Sequence, residues 1–333
     1  MAITLDDLLA IEPSTVSRDL SSYIIYIYGA QKVGKTTFAK DMGALILSCE
    51  DGTRAMSGAM KTLVHTWGDI KAIARYAKDP AFKKKYKAIA VDTVDVAASL
   101  CEKYICQQNN VDAIGKVPFG GGWSQFKKEF EEVFRGITME GLAVLFISHD
   151  KTKEITRPNG TTYTKIVPTV GDSINNIVMN MSDMIGYAYQ DFETDKRYLI
   201  LRGGNDITSG SRFQYIEPKV EFGYQSLVDA LNRAIDEEEK HNGAGAVSTE
   251  KATFVPEMEY NYEELMAEFQ ELVGTLMAKD QAYYAPRITQ VVERYLGRGR
   301  KISEATLDQA ELVFYVVKEI KETLIGKKTQ FHK

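Results

Sequence analysis

Gly29-Ala30-Gln31-Lys32-Val33-Gly34-Lys35-Thr36, with Thr37 next, fits the pattern GxxxxGK[ST]. It follows the apolar run YIIYIY (23–28) and precedes TTFAKDM, so a strand should lead into it and a helix out of it, the context the pattern needs to be a phosphate-binding loop. Two glycines let the backbone curl until successive N–H groups face one point, and the start of the following helix adds about half a positive charge there. Lys35 brings a point charge to the terminal phosphates, and the Thr36 hydroxyl is the expected ligand of a magnesium ion. Residues 29–37 are therefore the expected cradle for ATP with Mg2+. A guanosine nucleotide is disfavoured, because the chain has no NKxD and Asp92 does not open a DxxG.

Outward from this loop, short apolar runs alternate with helical stretches. The runs 23–28, 44–49, 88–92, 142–148 and 184–189 read as buried strands of a mainly parallel sheet with helices on both faces, an α/β architecture. Two later runs, 197–202 and 212–217, are separated by GGNDITSGS and read as antiparallel strands added at a sheet edge. The run DEEEKHNGAGAVSTEK lacks periodicity and reads as a linker. Beyond it three helices are expected, at 261–278, 282–296 and 306–325. Asn261 with Glu264, and Thr306 with Gln309, have the spacing of a capping box. The division is thus a core at 1–235, a linker at 236–252 and a small all-helical domain at 253–333. No repeat of 20–50 residues is present.

A nucleotide at the loop needs a second magnesium ligand at the end of a neighbouring strand. Asp92 closes the apolar run AIAVD and takes that part ahead of Asp95. Many ATPases place a water-polarising glutamate immediately after this aspartate, but here Thr93 follows. Glu50, at the end of LILSC and fifteen residues past Lys35, is the expected general base, on the same rim of the sheet. His149, at the end of LAVLFIS, is placed to hydrogen-bond the terminal phosphate and report its loss to the segment that follows.

Composition narrows the classes. The chain has 333 residues, 44% of them hydrophobic and 26% charged, ordinary values for a folded protein of about two domains. Its 41 basic and 46 acidic residues leave a net charge of -5 with no basic tail, so contact with nucleic acid would rest on local basic loops. Three cysteines (Cys49, Cys101, Cys106) and four histidines show no zinc spacing, and the cysteines read as reduced core residues. There is no basic leader and no run of eighteen apolar residues, so a cytoplasmic protein without a membrane partner is expected.

The order GAQKVGKTT, SCEDGT, AIAVDTVD, LFISHDK, the hairpin-like KEITRPNGTTYTKIVPTV and Asp183-Met-Ile-Gly resembles the phage RecA-like-core ATPases. These belong to the Sak group of single-strand annealing proteins and are related to the RadB, RadA and RecA recombinases. The resemblance spans about 20–235. It implies phosphate and magnesium binding by Lys35 and Thr36, a second magnesium carboxylate at Asp92, a catalytic glutamate at Glu50, and His149 where relatives carry a glutamine switch. It implies a homo-oligomer, ring or filament, in which a neighbour supplies a positive group, with Arg212 and Arg202 as candidates. It also implies single-stranded DNA at two loops: 109–123, with PFGGGW, and 151–170, with Lys151, Lys153, Arg157 and Lys165. Lys83, Lys84, Lys85 and Lys87 read as a solvated face. Arg298, Arg300 and Lys301 read equally as phosphate contacts or as complements to a helix carboxyl end. The leading expectation is an oligomerising, DNA-stimulated ATPase of phage recombination or replication. The rivals are a nucleotide-controlled adaptor for a helicase or single-strand-binding protein, and a small-molecule phosphotransferase.

Overall fold

In the computed structural model the described residues are 16–48, 56–243, 247–248 and 260–325. In chain order the strands of the central sheet and of one hairpin are β1 (Ile24–Gly29), β2 (Ala44–Ser48), β3 (Met60–Leu63), β4 (Ala88–Asp92), β5 (Ala143–Ser148), β6 (Asp150–Thr156), β7 (Thr162–Pro168), β8 (Met184–Gln190), β9 (Arg197–Ile200), β10 (Gly210–Ser211) and β11 (Lys219–Glu221), and a short separate pair joins Val16–Ser17 to Val247–Ser248. Helices α1 (Lys35–Asp41), α2 (Trp67–Tyr76), α3 (Pro80–Lys85), α4 (Val94–Gln108), α5 (Gly121–Met139), α6 (Asp172–Met181) and α7 (Tyr224–Asn242) run between and after them. The chain divides into two compact units, one spanning 13–254 and the other containing 255–333.

Every residue of β1, β2 and β5 is buried, which only a sheet covered on both faces allows. The sheet order is β11-β9-β8-β1-β5-β4-β2-β3, and β10 also pairs with β8. The six strands β1, β2, β3, β4, β5 and β8 are parallel. β9 and β10 run antiparallel to β8, and β11 antiparallel to β9. Alternation sends Tyr26, Leu47, Val91 and Phe146 to the face under α2, α4, α5 and α6. Ile25, Ile27, Ile46 and Leu145 go to the face under α1 and α7. Cys101 and Cys106 are buried free thiols.

Several boundaries depart from the sequence reading. The run 212–217 is a turn: Phe213 and Ile216 bury three apart, joined by Ile216 N–H donating to the Phe213 carbonyl, and the strands lie on either side as β10 and β11. β3 is an extra parallel edge strand whose MKTL exposes alternate residues. The linker reading fails at 236–242, which continue α7. There the charge run supports the helix, with Lys240 paired to Glu237, Asn242 donating to Glu238, and Arg18 paired to Asp236. The stretch 109–123 is ordered as two short turns, Ile114–Lys116 and Pro118–Gly120, followed by the first turn of α5.

The carboxyl-terminal unit holds α8 (Tyr262–Leu296) and α9 (Ala310–Ile320). Asn261 caps α8 by accepting from the amides of Glu263 and Glu264. Asp280 breaks it (φ -161°, ψ 94°) and recaps the second half by accepting from Tyr283 N–H, so the break falls where two helices were expected. Thr306 and Gln309 form a capping box just before α9. Val313, Val316, Val317 and Ile320 of α9 share a core with Phe269, Leu276, Ile288, Val291 and Val292. Among the described residues no helix is long and apolar enough to cross a membrane.

Candidate nucleotide-binding site

β1 ends in a glycine for a steric reason. Gly29 sits at φ 153°, and a Cβ there would fall 2.0 Å from the Ala188 carbonyl oxygen of β8. The loop that follows holds Lys32 at φ 63° and Gly34 at φ 112°, the latter being the N-cap of α1. The backbone thus turns through left-handed positions into a helix start, the geometry that presents amides to an anion.

Lys35 is 6% exposed. Its Nζ donates to the carbonyls of Gly29 (2.6 Å) and Ala30 (2.8 Å) and lies 3.5 Å from His149 Nδ1. Thr36 Oγ1 donates to Asp92 Oδ2 at 2.8 Å. Register brings these groups together: Ser48 pairs with Asp92, Asp92 with Ile147, and Ile27 with Ile147, so the carboxyl ends of β1, β2, β4 and β5 form one rim. A cleft of about 420 Å³ opens there, lined by the loop from Gln31 to Thr37 except Val33, and by Ser48, Met56, Asp92, Thr93 and His149.

Charge inside this cleft is poorly solvated. Burial pulls the Lys35 ammonium down to about 8, against the opposing pull of Asp92, Asp150 and Asp95. Burial pushes the Asp92 carboxyl up, against the Thr36 hydrogen bond and the Lys35 charge. A site that strains both a cation and a carboxylate in this way is suited to a ligand carrying compensating charges. The Thr36 hydroxyl and Asp92 carboxylate are hard oxygen donors within hydrogen-bond reach of each other. They suit Mg2+, which takes one or two such ligands and completes its shell with phosphate and water.

The remaining expected residues fall in several places. Glu50 lies outside the described residues; Ser48, the last described residue of β2, lines the cleft. Asp95 is not in the cleft, because its carboxylate accepts from Ser148 Oγ and Thr169 Oγ1, both at 2.7 Å. Arg212 is removed from this chain's own nucleotide cleft. It sits at the opposite, amino rim of the sheet, where Nη1 pairs with Asp183 (2.8 Å) and Nη2 donates to the Asn180 carbonyl. Arg202 spends Nη2 on the carbonyls of Phe213 and Gln214. Among the described residues, Arg197 reaches this loop, its Nη1 donating to the Val33 carbonyl at 3.2 Å. Sequence reasoning passed over it, since its only signal was a place at the start of an edge strand.

Of the expected DNA loops, the first leaves Phe119 fully exposed and Trp123 partly so, the Trp123 ring lying edge-on to Phe126. The second is the hairpin β6–β7, in which Lys153 stands directly opposite Lys165. Lys83, Lys84 and Lys85 form the last turn of α3, Lys83 pairing with Glu140, and Arg300 pairs with Glu304.

A glycine-shaped loop between a central parallel strand and a helix, with a buried lysine inside and a carboxylate on the threonine beyond, is the arrangement of a P-loop ATPase. Residues 21–213, more than half of the chain, match the family model described as AAA domain, and the chain belongs to that family. Over 330 residues it is 27% identical to the SPbeta prophage-derived uncharacterized protein YorG of Bacillus subtilis (strain 168), covering 96% of this chain and 98% of that protein. A crystal structure of the KaiC-like protein PH0186 from Pyrococcus horikoshii OT3 is similar over 60% of this chain and 85% of its own, at 12% identity and a TM-score of 0.33.

Proposed function

We propose that this ATPase binds ATP with Mg2+ and acts as a homo-oligomer on single-stranded DNA, in the strand annealing or exchange of phage recombination or replication. The observation that carries the reading is the place of His149, between Lys35 and the hairpin. Its ring lies 3.5 Å from Lys35 Nζ, and its carbonyl accepts from Thr169 N–H, which closes the base of β6–β7. When phosphate oxygens take the Lys35 ammonium from the Gly29 and Ala30 carbonyls, the group beside the hairpin feels the change. Thr36 and Asp92 would hold the metal, which when bound neutralises charge on the phosphates. Glu50 is proposed to orient the attacking water. The prophage origin of the relative supports the phage setting.

Support for DNA comes from the hairpin and from Phe119. Alternation puts Lys151, Lys153 and Lys165 on one hairpin face, and Arg157 lies over the Tyr163 ring. A phosphate backbone arriving there would meet Lys165 directly and Lys153 in exchange for Asp172. Exposed Phe119 and Trp123 are suited to base stacking. The test is the affinity for a single-stranded oligonucleotide with a non-hydrolysable ATP analogue across salt concentrations. Nucleotide-dependent binding with a steep negative slope of log affinity on log salt is expected, and absent or salt-insensitive binding contradicts the DNA reading.

One observation favours the adaptor reading. Lys151 is engaged with the Thr169 carbonyl and Lys153 with Asp172, so much of the hairpin's charge is spent internally. If that reading holds, ATP changes the binding of a helicase or single-strand-binding protein with no DNA present.

A further inference from the structure

The phosphate loop has an outer side as well as an inner one, and two side chains from the antiparallel edge press on it. Arg197 opens β9, pairing with Gln190 at the end of β8, which places it on the same rim as the loop. Its Nη1 donates to the Val33 carbonyl, and a Cβ on Gly34 would come within 2.9 Å of that nitrogen and 3.7 Å of Phe222 Cε1. Phe222 is tied to the same place: its N–H donates to the Arg197 carbonyl at 2.8 Å, and its ring stacks on Phe38 of α1 at 5.7 Å with the planes 5° apart.

The accepting carbonyl is what matters. Val33 C=O and Gly34 N–H belong to one rigid peptide unit, and in a trans peptide the two point in opposite directions. A guanidinium that fixes the carbonyl outward therefore fixes the Gly34 amide inward, toward the cleft. The control is needed there because Gly34, at φ 112°, has no Cβ to restrict it, and glycine occupies alternative backbone wells at little cost. Arginine suits the task, being always charged and donating from a planar fork.

We infer that Arg197 is a positioning residue for nucleotide binding, aiming the Gly34 amide at the phosphates by holding the Val33–Gly34 peptide from outside. The inference rests on the reading of the cleft as an ATP site. It gives the antiparallel edge a purpose: β9 and the residue after β11 brace a loop that belongs to the parallel core.

The experiment compares wild type with Arg197→Ala, Arg197→Gln, Arg197→Lys and, as control, Lys35→Ala. It measures dissociation constants for a fluorescent ATP analogue with Mg2+, and kcat and KM from phosphate release. Removing a charge-assisted hydrogen bond that orders a binding amide should weaken nucleotide binding about tenfold in the Ala and Gln variants, with kcat at saturating ATP changed far less. Arg197→Lys should recover part of the loss, and the melting temperature should stay at the wild-type value because the side chain is exposed. Unchanged affinity in the Ala and Gln variants overturns the inference, and so does a fall in kcat with affinity preserved. If wild type and Lys35→Ala bind equally, or neither binds, the ATP-site reading fails as well. If only Lys35→Ala loses binding, the positioning role alone is wrong.

Discussion

The two rims of the central sheet each hold a half-buried aspartate near a cation, and the difference between them separates a binding site from a structural clasp. Burial raises the carboxyl of both Asp92 and Asp183. At the amino rim Asp183 is satisfied from within: Oδ2 accepts from Ile24 N–H at 2.9 Å and Oδ1 from Arg212 at 2.8 Å, which staples β1 to β8 and the turn after β10. At the carboxyl rim the partners are ones a ligand can displace. Lys35 rests on two loop carbonyls, Thr36 on Asp92, and a cleft of about 420 Å³ lies against them. The two carboxylates thus differ in what holds them: a fixed backbone amide holds Asp183, although a cavity of about 270 Å³ lies beside it too, whereas a threonine hydroxyl holds Asp92 in the cleft of about 420 Å³.

The strongest way to break this comparison is to remove one member from each rim. Lys35→Ala should abolish measurable ATP hydrolysis, a loss of at least about a hundredfold. Beside it, Glu50→Gln should leave ATP affinity near wild type while slowing phosphate release about a hundredfold, the scale of lost general-base catalysis. Asp183→Ala should do the reverse of Lys35→Ala. It strands the Ile24 amide and so costs about 2–3 kcal/mol in urea unfolding, with the ATP dissociation constant within about twofold of wild type. If Asp183→Ala loses ATP binding as Lys35→Ala does, the two rims are not separable.

The smallest effect sharpens the same contrast through pH. The folded-state pKa of Asp183 is raised by burial above its unfolded value of about 3.8, so the folded protein holds that proton more tightly. Its stabilising contribution is therefore complete below the unfolded pKa and is lost as pH rises through the raised folded value. Thermal unfolding followed upward from about pH 4 should show the stability of wild type falling relative to that of Asp183→Asn as pH rises. An unchanged slope would mean that the carboxyl is not the group responsible.

Much of the carboxyl rim was legible in the sequence because its signals are local. GAQKVGKT carries its own spacing, and Asp92 and His149 each end an apolar run whose continuity reflects burial on both faces. What escaped depends on register between distant segments. Arg212 and Arg202 were visible as edge arginines, but only the pairing of Ser211 with Met184 reveals that Arg212 lies at the amino rim. Arg197 meets Val33 across 164 residues, a contact that no local pattern encodes. β3 was missed because half its side chains face solvent. The end of α7 was missed because seven polar residues after Ile235 carry no apolar stripe, although they pair along the helix.

The most direct test is a crystal structure with a non-hydrolysable ATP analogue and Mg2+. Lys35 Nζ should have left the Gly29 and Ala30 carbonyls for the terminal phosphates, with the metal on Thr36 and near Asp92, while Asp183 and Arg212 stay paired. A nucleotide bound elsewhere, or Lys35 still on the two carbonyls with the metal away from Thr36 and Asp92, would contradict the assignment of the carboxyl rim as the ATP site.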